Sequence, residues 1–221
     1  MHKIFVFGAS GHAKVVFDCI RRQGQYQVDA FIAGAASQLE GLPVLGEDSP
    51  WDKRGVRHGV IAVGDNWIRS RIAEKILSRC PDFEFVSIIH PSAVIAPSAK
   101  IGAGCVVFAG SVLNPDCEIG RHCIVNTRAS IDHDSTFGDF VSLAPGATLG
   151  GTAKVGDFTA IGLGASIIHG IQIGSHVVVG AGAVVTDNIP DLTVAFGVPC
   201  KVQRSRTQGE PYLASNAAKR Q

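Results

Sequence analysis

The 221-residue sequence is short of the features that mark several large classes of protein. Its formal net charge is only +1, so the charge balance does not favour nucleic acid or an anionic membrane surface as a partner. No apolar stretch approaches the roughly 20 residues that cross a bilayer, and the apolar run at the N-terminus is too short for a signal peptide. We therefore expect a cytoplasmic protein with neither a nucleic-acid nor a membrane partner.

Patterns that hold metals or disulfides are also missing. The chain has six cysteines, but no two form a CxxC pair and none has histidine partners at zinc spacing. We expect free thiols in a reducing compartment and no metal site.

Aromatic residues are scarce as well, at 7%, whereas glycine reaches 26 residues and 46% of the chain is hydrophobic. This composition indicates a substantial core built from small and branched side chains. The length fits one large domain or two small ones.

A large apolar side chain recurs at every sixth position through the second half of the chain. Sixteen successive steps are apolar: Ile95, Ile101, Val107, Leu113, Ile119, Val125, Ile131, Phe137, Leu143, Leu149, Val155, Ile161, Ile167, Ile173, Val179 and Val185. The residue two positions earlier is usually small, and the following residue is often glycine. This hexapeptide repeat is typical of a parallel β-helix, in which three hexads make one triangular coil. We expect the large residue and the small one, including Cys105, Cys117 and Cys123, to face inward, and glycine to form the corner.

Residues 1–85 have a different pattern. Strand-like "KIFVFGAS", "QVDAFIAG" and "GVIAVGD" alternate with helix-like "GHAKVVFDCIRRQG" and "NWIRSRIAEKILSRC", the latter with Asn66 as its cap. Such alternation predicts a small Rossmann-like parallel α/β sheet. We therefore expect an α/β domain at residues 1–85, a β-helix at 86–203, and a tail at 204–221 that is loosely ordered or a short helix.

The turn "GASGHA", from Gly8 to Ala13, follows a strand and opens a helix, where a phosphate can bind free backbone N–H groups. It is not the dinucleotide fingerprint, because Ser10 replaces the second glycine and no acidic residue follows the second strand. A redox dinucleotide is therefore disfavoured. A nucleotide-linked ligand and an ordinary tight turn both remain open on this motif alone.

The stretch "NTRASIDHDSTFGDF" places an Asp-His-Asp triplet inside the repeat. Positions three hexads apart stack in a β-helix, so an outward His133 would have Gly151 above it. That arrangement suits a general base beside a backbone N–H that stabilises an oxyanion. Either Asp132 or Asp134 could orient the imidazole. The alternative is that His133 lies on a solvated face, as we expect of two other histidines, His122 and His176.

Five segments together resemble a known family: "GASGHAKVV", "AVGDNWIR", "IHPSAVIAPSA", "VNTRASIDHD" and "GVPCKV". Over residues 1 to about 203 the chain is similar to bacterial sugar acyltransferases with an N-terminal α/β domain and a left-handed β-helix. Members include sialic acid O-acetyltransferases and the acetyltransferases of nucleotide-linked 4-amino-4,6-dideoxy sugars in the bacillosamine and perosamine pathways. The resemblance implies acetyl-CoA as co-substrate, a nucleotide-linked amino sugar as acceptor, and a homotrimer with sites between subunits.

The resemblance also implies a role for each matching residue. His133 would be the general base and Asp134 its support, Asn126 would lie near the sugar, and the N–H of Gly151 would face the oxyanion. The remaining matches fall into three groups: Ser10, Gly11 and His12 on the sugar-phosphate loop, Gly64, Asp65 and Asn66 on the loop beside it, and Ser142, Leu163 and Ala181 on the CoA side.

The sequence therefore predicts an acetyl-CoA-dependent N-acetyltransferase for the C4 amine of a UDP- or GDP-linked sugar. The nucleotide stays open because Ala33 and Gly34 stand where some relatives carry acidic residues, and Ser142 replaces a histidine that some relatives direct toward the cofactor. Two alternatives are an O-acetyltransferase acting on a sialic-acid-type hydroxyl and a non-catalytic hexapeptide-repeat scaffold.

Overall fold

A computed structural model describes residues 1–34 and 37–213. Its N-terminal part is a six-stranded sheet with two helices. The elements are β1 (His2–Phe7), α1 (Gly11–Gln23), β2 (Tyr26–Ala33), β3 (Ser37–Leu39), β4 (Leu42–Gly46), a 3-10 helix (Trp51–Arg54), β5 (His58–Ile61), α2 (Asn66–Arg79) and β6 (Glu84–Phe85). The strand order is β3-β4-β2-β1-β5-β6, and only the β3–β4 pair is antiparallel. This is the predicted small parallel sheet.

The two helices cover opposite faces of this sheet because side chains alternate along β1. Ile4 and Val6 pack in one apolar cluster with α1, and Phe5 and Phe7 pack in another with α2. Helix α1 ends at Gly24, which adopts φ 70°.

The N-cap of α2 is Asp65, whose carboxylate accepts a hydrogen bond from the N–H of Ile68. The assignment of the cap to Asn66 was wrong by one residue.

Residues 88–205 form the parallel β-helix that the repeat predicts, left-handed as the resemblance implies. Its first face contains β7 (Ile88–Ile89), β10 (Val106–Val107), β13 (Ile124–Val125), β16 (Ser142–Leu143), β19 (Ala160–Ile161), β22 (Val178–Val179), β24 (Thr193–Phe196) and β25 (Lys201–Ser205). The second face contains β8 (Val94–Ile95), β11 (Val112–Leu113), β14 (Ser130–Ile131), β17 (Thr148–Leu149), β20 (Ser166–Ile167) and β23 (Val184–Val185). The third face contains β9 (Lys100–Ile101), β12 (Glu118–Ile119), β15 (Thr136–Phe137), β18 (Lys154–Val155) and β21 (Gln172–Ile173).

The strand register confirms that three hexads make one coil. Val107 pairs with Val125, and Ile131 pairs with Leu149. From Val107 onward, every large residue of the repeat is at most 6% exposed, and the three cysteines of the small inward position are also buried. Packing in a narrow interior therefore explains both the period and the small residues.

The glycines that follow the large residue have a different role from the one the sequence suggested. A Cβ on Gly120 would lie 2.4 Å from the carbonyl oxygen of Gly138 in the next coil, so these glycines permit close stacking of coils. The corner itself is formed two residues later by positions with positive φ, such as Asp134 at 57° and Phe140 at 59°.

One apolar core joins the two parts of the chain. Ile88, Val106 and Ile124, on the outer side of the first face, pack with Val16 and Ile20 of α1. The division at residue 85 is therefore not marked by a break in packing, and it stays a prediction.

The described part of the tail is neither loose nor helical. Residues 204–205 complete β25, and residues 206–213 run back along the β-helix with their own hydrogen bonds. The rest of the tail, residues 214–221, lies outside the described residues.

Candidate active site

The Asp-His-Asp triplet forms the corner between the second and third faces. The positive φ of Asp134 turns its carboxylate back onto the preceding residue, and its Oδ2 lies 2.7 Å from Nδ1 of His133. Both side chains are more than half exposed. The hydrogen bond to Asp134 raises the pKa of His133, and the negative charges of Asp132 and Asp134 add to the effect. A proton held on Nδ1 by the carboxylate leaves Nε2 as the basic nitrogen.

Asp132 has a separate task in the same corner. Its Oδ1 accepts hydrogen bonds from the N–H of His133 at 2.8 Å and from Nδ2 of Asn114 at 2.9 Å. Of the two carboxylates left open by the sequence, Asp134 therefore contacts the imidazole and Asp132 shapes the turn. Asn114 was missed, although it lies one coil before Asp132 and the repeat could have revealed it.

Gly151 lies over the imidazole, as counting one coil from His133 predicts. A Cβ on Gly151 would be 2.5 Å from Nε2 of His133, so no other residue fits without moving the ring. The chain holds this arrangement through a 2.8 Å hydrogen bond from the N–H of Thr152 to the carbonyl of His133. Within residues 1–34 and 37–213, the N–H of Gly151 has no hydrogen-bond acceptor. The corner thus combines a free imidazole nitrogen with an available backbone donor.

Asn126, Leu163 and Ala181 lie at the next corner, between the first and second faces. The Oδ1 of Asn126 accepts a hydrogen bond from the N–H of Thr127 at 2.8 Å. Leu163 is 60% exposed, and Ala181, one coil further, is also exposed. The second face separates these residues from His133.

Ser142 is not at that corner but on the first face. Its Oγ lies 3.4 Å from the hydroxyl of Tyr212, a tail residue to which the sequence pattern assigned no role.

The "GASGHA" turn opens α1 with exposed groups. Ser10 is the N-cap residue, but its hydroxyl makes no capping bond, and Gly11 has open space around its Cα. His12 instead points at the β-helix, where its ring centroid lies 5.6 Å from that of Phe108. Burial and the nearby charge of Arg69 lower the pKa of His12 to about 4, so it is neutral at pH 7.

The side chains of the Gly64–Asn66 loop form most of their hydrogen bonds with other parts of the protein. The amide of Asn66 donates to the carbonyls of Phe158 and Thr159, both at 3.1 Å, and accepts from Arg69 at 2.8 Å. The side chains of Asp65 and Asn66 therefore serve the fold, and backbone groups are what this loop offers a ligand.

A cavity of about 260 Å³ opens at the carboxyl ends of β1, β2 and β5. Gly8, Ala33 and Val63 line it at or just after the strand ends, and Lys75 and Arg79 line it from α2. In open α/β sheets this edge is where ligands bind. The sequence pointed to the strand ends but gave no sign that α2 closes the cavity.

Two histidines expected on a solvated face are in fact in an aromatic stack. His122, Phe140, Phe158 and His176 stack along the corner between the third and first faces, with centroids 4.6 to 5.2 Å apart and interplanar angles of at most 8°. Burial lowers the pKa of His122 to about 4 and lowers that of His176 as well. The expectation was wrong because Phe85 of β6 and Trp67 of α2 cover this corner.

Apart from Asn126, Ser142, Leu163 and Ala181, the predicted site residues fall into two groups. His133, Asp134 and Gly151 share one corner, whereas the two N-terminal loops lie over the first face and the corners beside it. In a triangular coil, the corner of His133 is opposite the first face. In the described part of the chain, no hydrogen bond or ring contact joins the two groups.

No cluster of three or more histidine, cysteine or acidic side chains suited to a metal occurs among the described residues. The helices formed by those residues are also too short or too polar to span a membrane.

A hexapeptide-repeat β-helix with an Asp-supported imidazole beside a backbone N–H is suited to acyl transfer, and the comparisons identify the chain as a sugar acyltransferase. A model of the PglD N-terminal domain matches residues 3–76. A histidine-to-asparagine variant of perosamine N-acetyltransferase from Caulobacter crescentus, solved with CoA and GDP-perosamine, is 37% identical with a TM-score of 0.87, covering 93% of this chain and 98% of that one. The acetyltransferase domain of PglB from Neisseria gonorrhoeae, solved with acetyl coenzyme A, is 35% identical with a TM-score of 0.86, covering 91% and 99%.

A curated relative, the UDP-N-acetylbacillosamine N-acetyltransferase of Bacillus subtilis, is 36% identical over 115 residues. That match covers 49% of this chain and 52% of the relative, so it spans about half of each. The chain belongs to the bacillosamine and perosamine family of bacterial sugar N-acetyltransferases.

Proposed function

We propose that this protein transfers the acetyl group of acetyl-CoA to the C4 amine of a UDP- or GDP-linked 4-amino-4,6-dideoxy sugar. The observation that carries the proposal is the corner at which the Asp134-paired imidazole of His133 lies against Gly151, whose N–H has no acceptor among the described residues. The substrate class comes from the relatives, whose names or bound molecules include perosamine, bacillosamine and acetyl coenzyme A.

The corner accounts for a direct transfer. The neutral sugar amine attacks the thioester carbonyl while Nε2 of His133 accepts a proton from the amine. The Asp134 carboxylate stabilises the imidazolium that forms, and the N–H of Gly151 stabilises the negative oxygen. Collapse of this intermediate breaks the C–S bond, and His133 returns the proton to the leaving thiolate. An amide and free CoA result, with no covalent enzyme intermediate.

The N-terminal sheet supplies the place for the nucleotide. The first turn of α1, which contains no acidic residue, offers backbone N–H groups and a positive dipole end to a diphosphate. The cavity between the strand ends and α2 is next to this turn through Gly8. Its largely apolar lining, with Lys75 and Arg79 at one side, suits a nucleobase.

The separation of the two groups of residues supports a homotrimer with sites between subunits. The outer side of the second face is uncharged: Val94, Val112, Ser130, Thr148, Ser166 and Val184. The third face presents Lys100, Glu118 and Lys154 to solvent instead. A second copy on the uncharged face would cover it and bring the N-terminal loops of one subunit to His133 of another. The cytoplasmic location stays a prediction.

The hydroxyl-acceptor alternative keeps the same base, but the relatives, which are named for N-acetyl transfer, give it no support. A scaffold has no need of a carboxylate-paired imidazole.

The test is release of CoA thiol from acetyl-CoA with a UDP-linked 4-amino-4,6-dideoxy sugar and with GDP-perosamine, offered separately. Turnover with either establishes the amine chemistry and identifies the nucleotide. Absence of turnover with both, together with a thermal shift on adding CoA, would favour a hydroxyl acceptor. Absence of any shift would favour the scaffold.

A further inference from the structure

The C-terminal segment, residues 206–213, follows a defined path back from β25 to the start of α2. Arg206 is 8% exposed and donates to the carbonyl of His176 at 3.0 Å and to the carbonyl of Glu210. Gly209, with φ 73°, packs so closely on Trp67 that a Cβ there would lie 2.7 Å from the indole nitrogen. These contacts fix the segment against both the β-helix and α2.

The segment places the hydroxyl of Tyr212 between two regions assigned to the site. The hydroxyl donates to the carbonyl of Gly64 at 3.1 Å and accepts from the N–H of Asn66 at 3.3 Å. It also lies 3.4 Å from Oγ of Ser142 on the first face. Burial raises the pKa of Tyr212, so the hydroxyl keeps its proton and can donate at neutral pH.

Arg69 holds the same loop from the other side. Its buried guanidinium donates to the carbonyls of Val63 and Gly64, both at 3.0 Å, and to Oδ1 of Asn66 at 2.8 Å. It reaches the β-helix through the carbonyls at positions 122 and 140, at 2.8 and 3.0 Å.

The Tyr212 hydroxyl gives the N–H of Asn66 a hydrogen-bond acceptor, which Arg69 cannot provide. The N–H of Asn66 belongs to the first turn of α2, where backbone donors lack partners within the helix. Arg69 carries only donors, so it can fix the oxygen atoms of this loop but not this N–H. Tyr212 both donates and accepts, and it therefore completes the hydrogen bonding of the loop.

We propose that Tyr212 is a positioning residue for the nucleotide sugar: the C-terminal segment holds the Gly64–Asn66 backbone in the conformation that receives the diphosphate-linked substrate. This inference rests on the proposed function, because it takes that loop as part of the sugar-nucleotide site. It gives residues 206–213 a role in substrate binding although they lie outside both the repeat and the α/β sheet.

The test compares Tyr212→Phe with Tyr26→Phe, since these are the two tyrosines of the chain. Tyr26 begins β2, at the end of the strand away from the cavity. One net hydrogen bond is worth a factor of roughly 2 to 10, so Tyr212→Phe should raise KM for the amino sugar by about that factor. KM for acetyl-CoA should stay near the wild-type value, the melting temperature should fall by only a few degrees because the N–H of Asn66 loses its partner, and Tyr26→Phe should change none of these quantities.

A chain ending at Ser205 should also show a rise in KM for the amino sugar alone, and this rise should be larger than that of Tyr212→Phe. Binding of UDP and GDP, measured by calorimetry on the wild type and Tyr212→Phe, gives a readout that needs no catalysis.

Each other outcome has a distinct meaning. An active wild type with an unchanged Tyr212→Phe overturns the positioning role and leaves the proposed function intact. A fall in KM for the sugar would show that the segment blocks the loop, and a rise confined to acetyl-CoA would show that it acts through Ser142. Either result overturns the inference. A wild type that transfers no acetyl group contradicts the proposed function, and nucleotide binding then still decides the role of Tyr212.

Discussion

Two corners of one β-helix carry histidines, and their surroundings give these histidines opposite properties. At the corner between the third and first faces, His122 lies between aromatic rings, and burial lowers its pKa to about 4. At the corner between the second and third faces, His133 is exposed, and the Asp134 carboxylate raises its pKa. The repeat is the same in both places. Whether a histidine at a corner is buried in a stack or exposed beside a carboxylate depends on what covers the corner and on which residue occupies the left-handed position.

The largest test of this comparison removes the exposed imidazole. His133→Ala should lower kcat by about 10²–10⁴-fold, because general base catalysis contributes that much. His169→Ala is the matched control, since His169 is exposed at the same corner two coils further on. The rate of acetyl transfer measures both variants. A residual rate for His133→Ala within threefold of wild type contradicts the assignment.

A mixing experiment asks whether the exposed corner is completed by a second copy. His133→Ala lacks the base, and Gly11→Asp places a negative charge in the first turn of α1, where it should repel a diphosphate but still suit the helix dipole. Each variant alone should have at most a small residual activity, far below the recovery expected on mixing. If sites form between subunits, random co-assembly restores one half times one half of them, or about a quarter of wild-type activity.

The readout is the activity of co-expressed chains compared with that of each chain alone. Recovery near zero in well-mixed oligomers would place the whole site within one chain.

The buried corner should make stability depend on pH. The folded pKa of His122 is depressed to about 4 from its usual value of 6.5, so the unfolded chain binds more protons between these values and stability is lost as pH falls through the window. At pH 5 this loss is about 2 kcal/mol for His122.

His122→Phe should remove this part of the loss, because Phe140 and Phe158 already occupy the equivalent position with the same positive φ. Unfolding free energies at pH 7 and pH 5 measure the difference between variant and wild type. An equal loss in both would show that His122 is not the group responsible. His12, with a similarly lowered pKa, accounts for a slope that remains in the variant.

The smallest predicted effect sharpens the role of Asp134. Asp134→Asn keeps the size of the side chain but removes the carboxylate whose hydrogen bond, and to a smaller extent whose charge, raises the pKa of His133, so the acid limb of the profile of kcat/KM against pH should move to lower pH. The weaker base should also lower kcat by about tenfold. The pH profile with one fixed acceptor checks both effects, and an unmoved acid limb would separate Asp134 from the titration of His133.

The sequence was most informative where the chain obeys the repeat. The sixteen large residues, the coil length and the contact between His133 and Gly151 were all predictable, because a narrow interior permits one periodicity and the period fixes which residues stack. The α/β sheet followed from alternating elements. The local pattern was sufficient to predict the sheet, and the pattern together with the neighbour one coil away was sufficient to predict the β-helix.

The features that could not be predicted from the sequence depend on contacts between segments far apart in the chain. The burial of His122 depends on the docking of residues near Phe85 and Trp67, and the roles of Arg69 and Tyr212 depend on contacts between segments far apart in the chain. A partial signal existed: counting coil by coil from His122 gives Phe140, Phe158 and His176, four rings in a sequence poor in aromatics. The count reveals the stack but not what covers it.

The stacking of one coil on the next also limits how such a chain can change its length. A single residue lost between His133 and Gly151 would turn every later side chain of the repeat from inside to outside. Loss of a whole hexad would keep the interior apolar but carry Gly151 to a different corner, away from the imidazole. A change beyond Gly151 would leave its contact with His133 intact, but only the gain or loss of a complete coil would keep every later residue at its own corner. Other insertions are confined to bulges at the corners. The separation of His133 and Gly151 along the repeat is therefore a whole number of coils.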